Sequence, residues 1–495
     1  MKKIFSFILF TFSCLFVSAS FEMNDNMQNA YTAIINLQFE KGQSYIQLEK
    51  EQNPNNGLIH LNENYKDFLA LIIGEDKQLF DEISANKSKR LSVISTCDKN
   101  SPYYLYSQAE INLQWAFARL KFQEYFLAAY EIQKAYFLLE ENQEKFPEFF
   151  LNKKGMGLLH CLIGSIPKNY KWIVNAIGIN GGIDRGLDEL HELLLLTEKD
   201  ENYQIYNTEL LFLISFLEMN LTIDKSNFQT TLDAIGEKHS NHILLTFAAA
   251  RLSSKLGNNN KTINILKSRP KKEGQFDFTY LDYLLGMSEL YELQPSAKKH
   301  FLSFIQNFKG QSYIKSALQK MAWIAYLDDD FKLRDYYLEK VKQNGNTYLD
   351  EDKQAQKQAE SRVISHPILL RSRLLYDGGY YQKALSELEN IESPHLFSNT
   401  ENTIEYWYRM GRVFQKMEKT QEETIVFFEK AITTGLNSHT YYAPMSTLQI
   451  AIEYERMGEN KKAKSYYNKC LNMKGFNYER GIHQKAKAGL ERISN

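Results

Sequence analysis

Cysteine is scarce in this sequence, which has four cysteines in 495 residues. Cys14 lies in an apolar N-terminal segment, and Cys97, Cys161 and Cys470 are far apart along the chain. Three scattered cysteines do not make a disulfide framework, and without a Cys-x-x-Cys pair the usual zinc and thioredoxin-like motifs are excluded. The fold must therefore be stabilised by packing, for which the 43% of hydrophobic residues provides ample material.

Glycine (24 residues) and proline (9 residues) are also scarce. Strand-rich folds need many tight turns and use these two residues to make them, so their scarcity favours long helices joined by short loops. The apolar residues agree with this, because in 107–120 and 124–140 they recur at helical intervals. The sequence therefore predicts an all-α protein.

No charge of one sign dominates, since 59 basic residues balance 60 acidic residues. A nucleic-acid-binding protein usually has a basic excess or a basic stripe, so we expect no nucleic-acid partner. Beyond the N-terminal segment, no apolar run approaches the roughly 20 residues that span a bilayer. We therefore expect no transmembrane segment there, and at most a peripheral association with a membrane.

The first 20 residues have the order of a secretory signal peptide. Lys2 and Lys3 precede the apolar stretch Ile4–Val17, and Ala19 and Ser20 supply small residues for a peptidase. We predict cleavage after Ala19 or Ser20. The protein would then be exported, and its Lys-, Asn- and Ile-rich composition suggests a bacterial periplasm or cell envelope.

Two alternatives stay open for this segment. It could be retained as an anchor helix, although its apolar core is short for a membrane span. It could also direct lipidation of Cys14, although Thr11-Phe12-Ser13 lacks the aliphatic residue usually found three places before such a cysteine.

Small residues recur in this sequence at spacings of 12 and then 7 positions. The clearest case is the segment IAIEYERMGENKKAKSYYNKCL, in which Ala451, Ala463 and Cys470 have this spacing. Large aromatic residues, Tyr454 and Tyr467, lie between them. The pattern resembles the tetratricopeptide repeat (TPR), a helical hairpin in which small residues let two helices touch closely.

Comparable sets of residues recur in register order along the chain, and an irregular bundle with chance matches is the alternative interpretation. Successive units lie 36 to 50 residues apart, whereas a TPR needs about 34, so longer helices or loops are predicted. The longest step contains Asp350–Lys353 and is predicted to be a charged, solvated helix or an insertion. The signature positions are Ala116, Ala128, Ala135, Ala250, Gly286, Ser372, Gly379, Ala384, Trp407, Gly411, Phe414, Ala431, Ala451, Tyr454, Gly458, Ala463 and Tyr467.

The TPR resemblance implies an all-α superhelix of TPR-like antiparallel helical hairpins. Along the chain we predict a signal peptide over residues 1–20 and an N-terminal helical region with irregular hairpins over residues 21–235. A C-terminal TPR-like solenoid is predicted over residues 236–495. Trp115, Trp172, Trp323 and Trp407 are expected to be divided between the core and the groove of this solenoid.

Residues 155–194 have a different pattern: a helix, a proline, a glycine-bearing hairpin and a Gly-Leu-x-x-Leu helix. This order resembles a segment of the tetratricopeptide repeat protein 39 and inclusion-body-clearance family, whose members are regarded as adaptors, so the resemblance implies no reaction. Those proteins tend to have an acidic–basic pair where this chain has Gly182-Ile183. The N-terminal segment, residues 37–57, resembles the sequences of exported bacterial repeat proteins more closely. The residues in common are Gly155, Leu158, Pro167, Gly178, Gly181, Gly186, Leu187 and Leu190.

The glycines Gly178, Gly181, Gly182 and Gly186 are predicted to form this hairpin. No Lys-Ser/Thr pair follows the first three and no strand precedes them, so the phosphate-loop and dinucleotide fingerprints fail. A turn that needs positive φ explains Gly178, Gly181 and Gly182.

No metal-binding or catalytic motif stands out in the sequence. His239 and His242 are three apart, but no acidic or sulfur ligand is near them, so we predict a helix start and no metal site. His160 lies on an apolar face and is predicted to be a hydrogen-bonded core residue. Neither a nucleophile elbow nor a zinc-binding His-Glu-x-x-His helix occurs, so no catalytic residue and no cofactor are predicted.

We therefore predict an exported TPR scaffold or adaptor that binds a protein or peptide partner on its concave face and catalyses no reaction. The identity of the partner stays open. The alternative is a ligand- or glycan-binding lipoprotein of the starch-utilisation type, which is usually richer in glycine and proline and begins at a lipidated cysteine. An enzyme built on the solenoid would need a deep polar pocket.

Overall fold

The computed structural model describes residues 20–166, 178–222, 225–393 and 397–494, so the predicted signal segment up to Ala19 lies outside the described residues. Every regular element in the described part is a helix, which confirms the predicted all-α fold class. The helices form two compact units. Unit 1 comprises Met1–Leu252 and Ser268–Phe278, and unit 2 comprises Ser253–Lys267 and Thr279–Asn495.

In its described part, unit 1 contains four helical hairpins, formed by α1 with α2, α6 with α7, α8 with α9 and α11 with α12. A short 3-10 helix, Gly236–Ser240, precedes α13, the last helix that belongs in part to this unit. The boundary between the two units lies within α13, after Leu252. The helices are α1 (Asp25–Ile35), α2 (Phe39–Gln52), α3 (Leu58–Gly74), α4 (Lys77–Ile83), α5 (Asn86–Ile94), α6 (Pro102–Lys121), α7 (Tyr125–Lys145), α8 (Asn152–Gly164), α9 (Ile183–Leu196), α10 (Glu201–Gln204), α11 (Asn207–Leu221), α12 (Ser226–Ile235) and α13 (Ile243–Lys255).

Unit 2 is more regular, and among its described residues five hairpins follow one another along the chain: α15 with α16, α17 with α18, α20 with α21, α22 with α23 and α24 with α25. One additional helix, α19, separates the second and third hairpins. The helices are α14 (Asn259–Lys267), α15 (Tyr280–Tyr291), α16 (Ala297–Asn307), α17 (Ile314–Leu327), α18 (Phe331–Gln343), α19 (Asp350–Ser361), α20 (Pro367–Asp377), α21 (Tyr381–Glu389), α22 (Thr400–Lys416), α23 (Gln421–Thr434), α24 (Tyr442–Arg456), α25 (Asn460–Asn472) and α26 (Glu479–Ser494).

Local sequence signals set where these helices begin and turn. Ser101 caps α6 by accepting a hydrogen bond from the Tyr103 amide, and Pro102 occupies the first turn, where its missing N–H costs nothing. Gly379 and Gly458 have φ of +83° and +74° in the turns of their hairpins. Only glycine adopts this left-handed conformation freely, so both residues let the chain reverse after a first helix.

Small residues lie where the two helices of a hairpin touch. A Cβ at Gly411 would be 2.6 Å from the Phe428 ring, so only glycine permits this approach of α22 to α23. Ala451 and Ala463 are fully buried in one apolar cluster with Tyr467. The hairpins therefore have the close helix–helix contact that characterises TPR-like repeats.

Replacing Ala463 by leucine should destabilise the protein by about 1–3 kcal/mol, because the added atoms overpack the contact between α24 and α25. Thermal denaturation followed by circular dichroism measures this effect. The neighbouring Lys464 is exposed, so Lys464→Leu is the matched control and should leave the melting temperature nearly unchanged. Equal melting temperatures for the two variants would contradict the assigned hairpin register.

The segment Asp350–Lys353 begins helix α19, and Asp350, Glu351 and Lys353 are exposed, as predicted for a charged, solvated helix. Asp352 is the exception, because it is fully buried and its carboxylate accepts hydrogen bonds from the Tyr313 and Ser316 amides at 2.7 and 2.9 Å. These amides belong to the start of α17, where a carboxylate offsets unpaired N–H groups. A run of charged residues is usually solvated, and the sequence does not show that one of them caps another helix.

No helix in the described part of the chain is both long and apolar enough to cross a membrane. Cys97, Cys161 and Cys470 are free and buried.

Candidate functional site

Buried polar side chains in unit 2 gather on the first helices of its hairpins. The second helices α16, α18, α21 and α25 bury no polar side chain, and α23 buries only Thr424. A helix that serves only to fill a core needs no such groups, since burying polar atoms is costly. The buried polar residues of the first helices α17, α20, α22 and α24 are Lys315, Ser316, Gln319, Lys320, Ser372, Thr403, Glu405, Arg409, Ser446, Thr447, Gln449 and Glu453.

Trp323 of α17 brings two cationic side chains together. The Lys320 Nζ lies 4.1 Å from the centre of the indole ring, and the Arg373 Cζ lies 5.2 Å from it. Both distances are within the range of cation–π attraction. The indole N–H donates to the Gln358 Oε1 at 2.7 Å, so α19 fixes the orientation of the ring.

Arg412 of α22 lies between two tyrosines. Its Nη1 and Nη2 donate to the hydroxyls of Tyr408 and Tyr376 at 3.1 and 2.7 Å, and its guanidinium is 5.3 Å from the Tyr376 ring centre. Its Nε is buried and has no hydrogen-bond partner among the described residues. Burial raises the pKa of Tyr376 to about 12, so this hydroxyl is neutral and does not compensate the charge of Arg412.

Arg409, one turn earlier on α22, is different because its charge is fully compensated. It forms a buried ion pair with Glu405, donating from Nε to Oε1 at 2.7 Å, and the Ser365 hydroxyl donates to the other carboxylate oxygen at 2.8 Å. Although burial opposes ionisation, the Arg409 charge and these hydrogen bonds lower the pKa of Glu405. This ion pair therefore compensates the charge of Arg409 within α22.

We refer to Lys320, Trp323, Arg373, Tyr376, Tyr408 and Arg412 as the basic aromatic cluster. Its cations are poorly compensated: among the described residues, Arg373 has one carboxylate partner, Asp377, at 3.7 Å, and Lys320 and Arg412 have none. Burial, together with the neighbouring charge of Arg373, lowers the pKa of Lys320 to about 7. The cluster therefore has positive charge and hydrogen-bond donors in excess.

Unit 1 also contains a buried charged group, in which one lysine is bound by two carboxylates. Lys154 of α8 is 2% exposed and binds Glu110 and Glu209, each at 3.0 Å, and also the Tyr65 hydroxyl. The Tyr31 hydroxyl donates to Glu209 at 2.5 Å. These contacts join α1, α3, α6, α8 and α11, so we assign this network a structural role.

A cavity of about 610 Å³ in unit 1 is lined by α2, α3, α4 and α5. Its deepest cation, Arg90, donates to Asp67 at 2.7 Å and to the Asn64 amide oxygen at 3.1 Å, and it lies 3.7 Å from Glu63. The charge of Arg90 is thus compensated by two carboxylates, whereas the cations of the basic aromatic cluster have fewer such partners.

The predicted signature residues are placed at helix–helix contacts and turns, not at a ligand site. The alanines Ala116, Ala128, Ala135, Ala250, Ala384, Ala431, Ala451 and Ala463, and also Tyr467, are fully buried. Ser372 donates to the Ala384 carbonyl at 3.0 Å, and Gly286 would crowd the Phe301 ring if it carried a Cβ. Trp407, Phe414 and Tyr454 are partly buried against the apolar clusters of unit 2.

The four predicted hairpin glycines have different roles, which corrects the assignment of Gly178, Gly181 and Gly182 to one turn with positive φ. Gly178 has φ of +76°, whereas Gly182 is extended at −161° and Gly181 lies outside the left-handed region. Gly186 lies within α9, where a Cβ would overlap the Gly157 carbonyl oxygen. Close contact between α8 and α9, which sequence spacing does not distinguish from a turn, explains Gly181 and Gly186.

The remaining candidates lie in structural positions. His160 is buried with its Nδ1 2.7 Å from a carboxylate oxygen of Glu189, and the Nδ1 of His242 lies 2.6 Å from the Asn36 amide oxygen. The indole N–H of Trp115, which is buried, donates to Asn64 at 2.9 Å. Ser20 is exposed, and Trp172 and Pro167 lie outside the described residues.

The basic aromatic cluster was not predicted from the sequence, although a signal for it exists. On each of three first helices a cation lies three or four residues from an aromatic residue, the spacing that places two side chains on one helix face. The pairs are Lys320 with Trp323, Arg373 with Tyr376, and Arg412 with Tyr408.

No protein-family model matches the sequence, and no curated protein matches it. Solved structures similar to this chain include the crystal structure of the yeast Tom70, with 12% sequence identity, a TM-score of 0.24 and coverage of 95% of each chain. They also include the crystal structure of the APC/C hetero-tetramer Cut9-Hcn1, with 10% identity, a TM-score of 0.23 and coverage of 94% of this chain and 95% of that chain. At these TM-scores the likeness supports no statement about what this chain binds.

Proposed function

We propose that this protein is an exported TPR-like scaffold or adaptor that binds a protein or peptide partner in the cell envelope and catalyses no reaction. The observation that carries the proposal is the basic aromatic cluster, in which Lys320, Arg373 and Arg412 have unused donors beside aromatic rings. Tyrosine, tryptophan and arginine are the residues enriched in the energetic centres of protein interfaces.

The arrangement of hairpins also suits a scaffold. Each hairpin contributes a few side chains from its first helix, and consecutive first helices join these contributions into one surface. In unit 2 the cluster draws on α17, α20 and α22, so a bound segment would contact several repeats at once. The resemblance of residues 155–194 to a family of adaptors agrees with this role, and no cofactor is part of the proposal.

Export rests on the N-terminal sequence, in which the apolar stretch Ile4–Val17 is followed by Ala19 and Ser20. Intact-mass measurement of the protein from its native envelope should show a chain that begins at Ser20 or Phe21. A mature chain that retains Met1 would contradict export by signal cleavage, and a lipid adduct on Cys14 would identify a lipoprotein.

The scaffold function is tested by mild crosslinking and affinity capture of the tagged mature protein from the native cell envelope. We expect recovery of one or two envelope proteins in stoichiometric amount with the wild-type chain. The double variant Arg373→Ala/Arg412→Ala should lose them, whereas Arg371→Ala should retain them. Arg371 is the matched control because it lies on the same helix as Arg373 but pairs with Glu387 at 2.8 Å, away from the cluster.

The main alternative is a glycan-binding lipoprotein of the starch-utilisation type. It predicts that the eluate contains glycans or other small molecules but no protein, and that Cys14 carries a lipid. That result would replace the scaffold proposal.

A further inference from the structure

We propose that the basic aromatic cluster binds carboxylate side chains of an acidic segment in the partner, and that Lys320 takes up a proton when the carboxylate binds. This inference rests on the scaffold function proposed above, which it extends by naming the chemistry of the partner and a pH dependence.

The donors fit an anion with two oxygens. Arg373 and Lys320 lie near the same Trp323 ring, at 5.2 and 4.1 Å from its centre, and the charge of Arg373 acts on Lys320, so a carboxylate bound at Arg373 would also be attracted by the Lys320 ammonium. Arginine and lysine bind carboxylates through such charge-assisted hydrogen bonds. The Arg373 side chain is 37% exposed, so an incoming ligand can reach it from solvent.

Arg412 extends the site towards α22. Tyr376, one turn after Arg373 on α20, accepts a hydrogen bond from Arg412 at 2.7 Å, so Arg412 contacts the helix that carries Arg373. The Nε of Arg412 is a buried donor with no hydrogen-bond partner among the described residues. In the free protein, no hydrogen bond therefore replaces the one that this N–H would make to water. An acidic segment with successive carboxylates could therefore bind Arg373 and Arg412 at the same time.

Lys320 supplies the proton linkage. It is 8% exposed, and its Nζ donates to Gln319 at 2.6 Å but to no carboxylate among the described residues. The charge of Arg373 acts against the ionised form of Lys320, and the carboxylates Glu351, Asp377 and Asp352 act in its favour without forming an ion pair with it. The pKa of Lys320 is lowered to about 7, so a bound carboxylate would raise it again towards the ordinary value.

The sign of the pH dependence follows from these two states. Below about pH 7 Lys320 is charged in the free and the bound protein, so affinity should be independent of pH. Above about pH 7 binding must protonate Lys320, so affinity should fall by up to about tenfold per pH unit. The carboxylates of the ligand stay ionised across this range because their pKa is near 4.

The test uses the full-length mature protein and a short, capped, fluorescently labelled peptide of alternating glutamate and serine. The control peptide has glutamine at each glutamate. Fluorescence anisotropy should detect only the acidic peptide, with weaker binding above about pH 7, and calorimetry in two buffers of different ionisation enthalpy should show uptake of up to one proton near pH 8.

Four variants separate the parts of the proposal. Arg373→Ala should bind about tenfold more weakly, whereas Arg371→Ala should bind as the wild type does. Lys320→Met should bind weakly with no pH dependence above about pH 7, and Lys320→Arg should bind tightly across the whole range because arginine stays charged. Circular dichroism melts confirm that each variant is folded.

Each contrary outcome has a definite meaning. Equal binding of the glutamate and glutamine peptides, with an envelope protein still captured, would overturn the acidic partner while leaving the scaffold function in place. Binding that does not weaken above about pH 7 would overturn the role of Lys320. A uronic-acid oligosaccharide that binds in place of the peptide, with no protein captured, would overturn the inference and the scaffold function together.

Discussion

Replacing Lys154 by methionine should destabilise unit 1 by about 3–5 kcal/mol, one of the two largest effects we expect from a single substitution. Methionine fills nearly the same volume, so the loss is electrostatic. Glu110 and Glu209 each lie 3.0 Å from the Lys154 Nζ, and without it their carboxylates would be left together at a buried site. The free energy of unfolding is measured by denaturant titration followed by circular dichroism.

The adjacent lysine provides the matched control. Lys153 is paired with Glu192 on the surface, and its side chain is 30% exposed, so Lys153→Met should change the free energy of unfolding by less than about 1 kcal/mol. Adding Glu209→Gln to Lys154→Met should recover part of the loss, because it removes one of the uncompensated charges. If Lys153→Met and Lys154→Met were equally stable, the buried network would not hold the helices of unit 1 together.

Replacing Gly186 by alanine should cost about 3 kcal/mol or more, although alanine is the better helix former. A Cβ at Gly186 would overlap the carbonyl oxygen of Gly157 and lie 2.6 Å from the Cys161 Sγ and 2.7 Å from the Cys161 amide nitrogen. Two of these atoms belong to the backbone of α8, so no rotamer change relieves the contact. Helices α8 and α9 must separate, and the packing between them is lost.

Gly481 is the matched control, since it is also a helical glycine but has no atom within 4 Å of its added Cβ. Gly481→Ala should stabilise the protein by up to about 1 kcal/mol through helix propensity. The two substitutions should therefore shift the melting temperature in opposite directions. A stabilising effect of Gly186→Ala would show that α8 and α9 are farther apart than the structure has them.

The hairpins of unit 2 could be predicted because each depends on residues close in sequence. Ala451 and Ala463 lie on the two helices of one hairpin, and the small side chains that allow this contact recur at a fixed spacing. Turn glycines such as Gly379 and Gly458 add a second local signal, because a left-handed residue must end the first helix.

The basic aromatic cluster could not be predicted in the same way, because it joins residues from three hairpins. Whether Lys320 comes close to Arg373 depends on α19, the helix between their two hairpins along the chain. The repeat spacing indicated this helix only as an unusually long interval between two repeat units. The Gln358 side chain of α19 orients Trp323, and no motif marks that contact. Long-range networks such as the one around Lys154 escape sequence analysis for the same reason.

The central claim is that the first-helix surface of unit 2 binds a protein, and site-specific photo-crosslinking in the native envelope tests it most directly. The photoreactive residue would replace Asp377, which is exposed beside Arg373, and in a control it would replace Ser386, which is exposed on the second helix α21. We predict a discrete crosslinked protein from position 377 and none from position 386. Crosslinks of equal yield at both positions, or none at position 377, would contradict the claim.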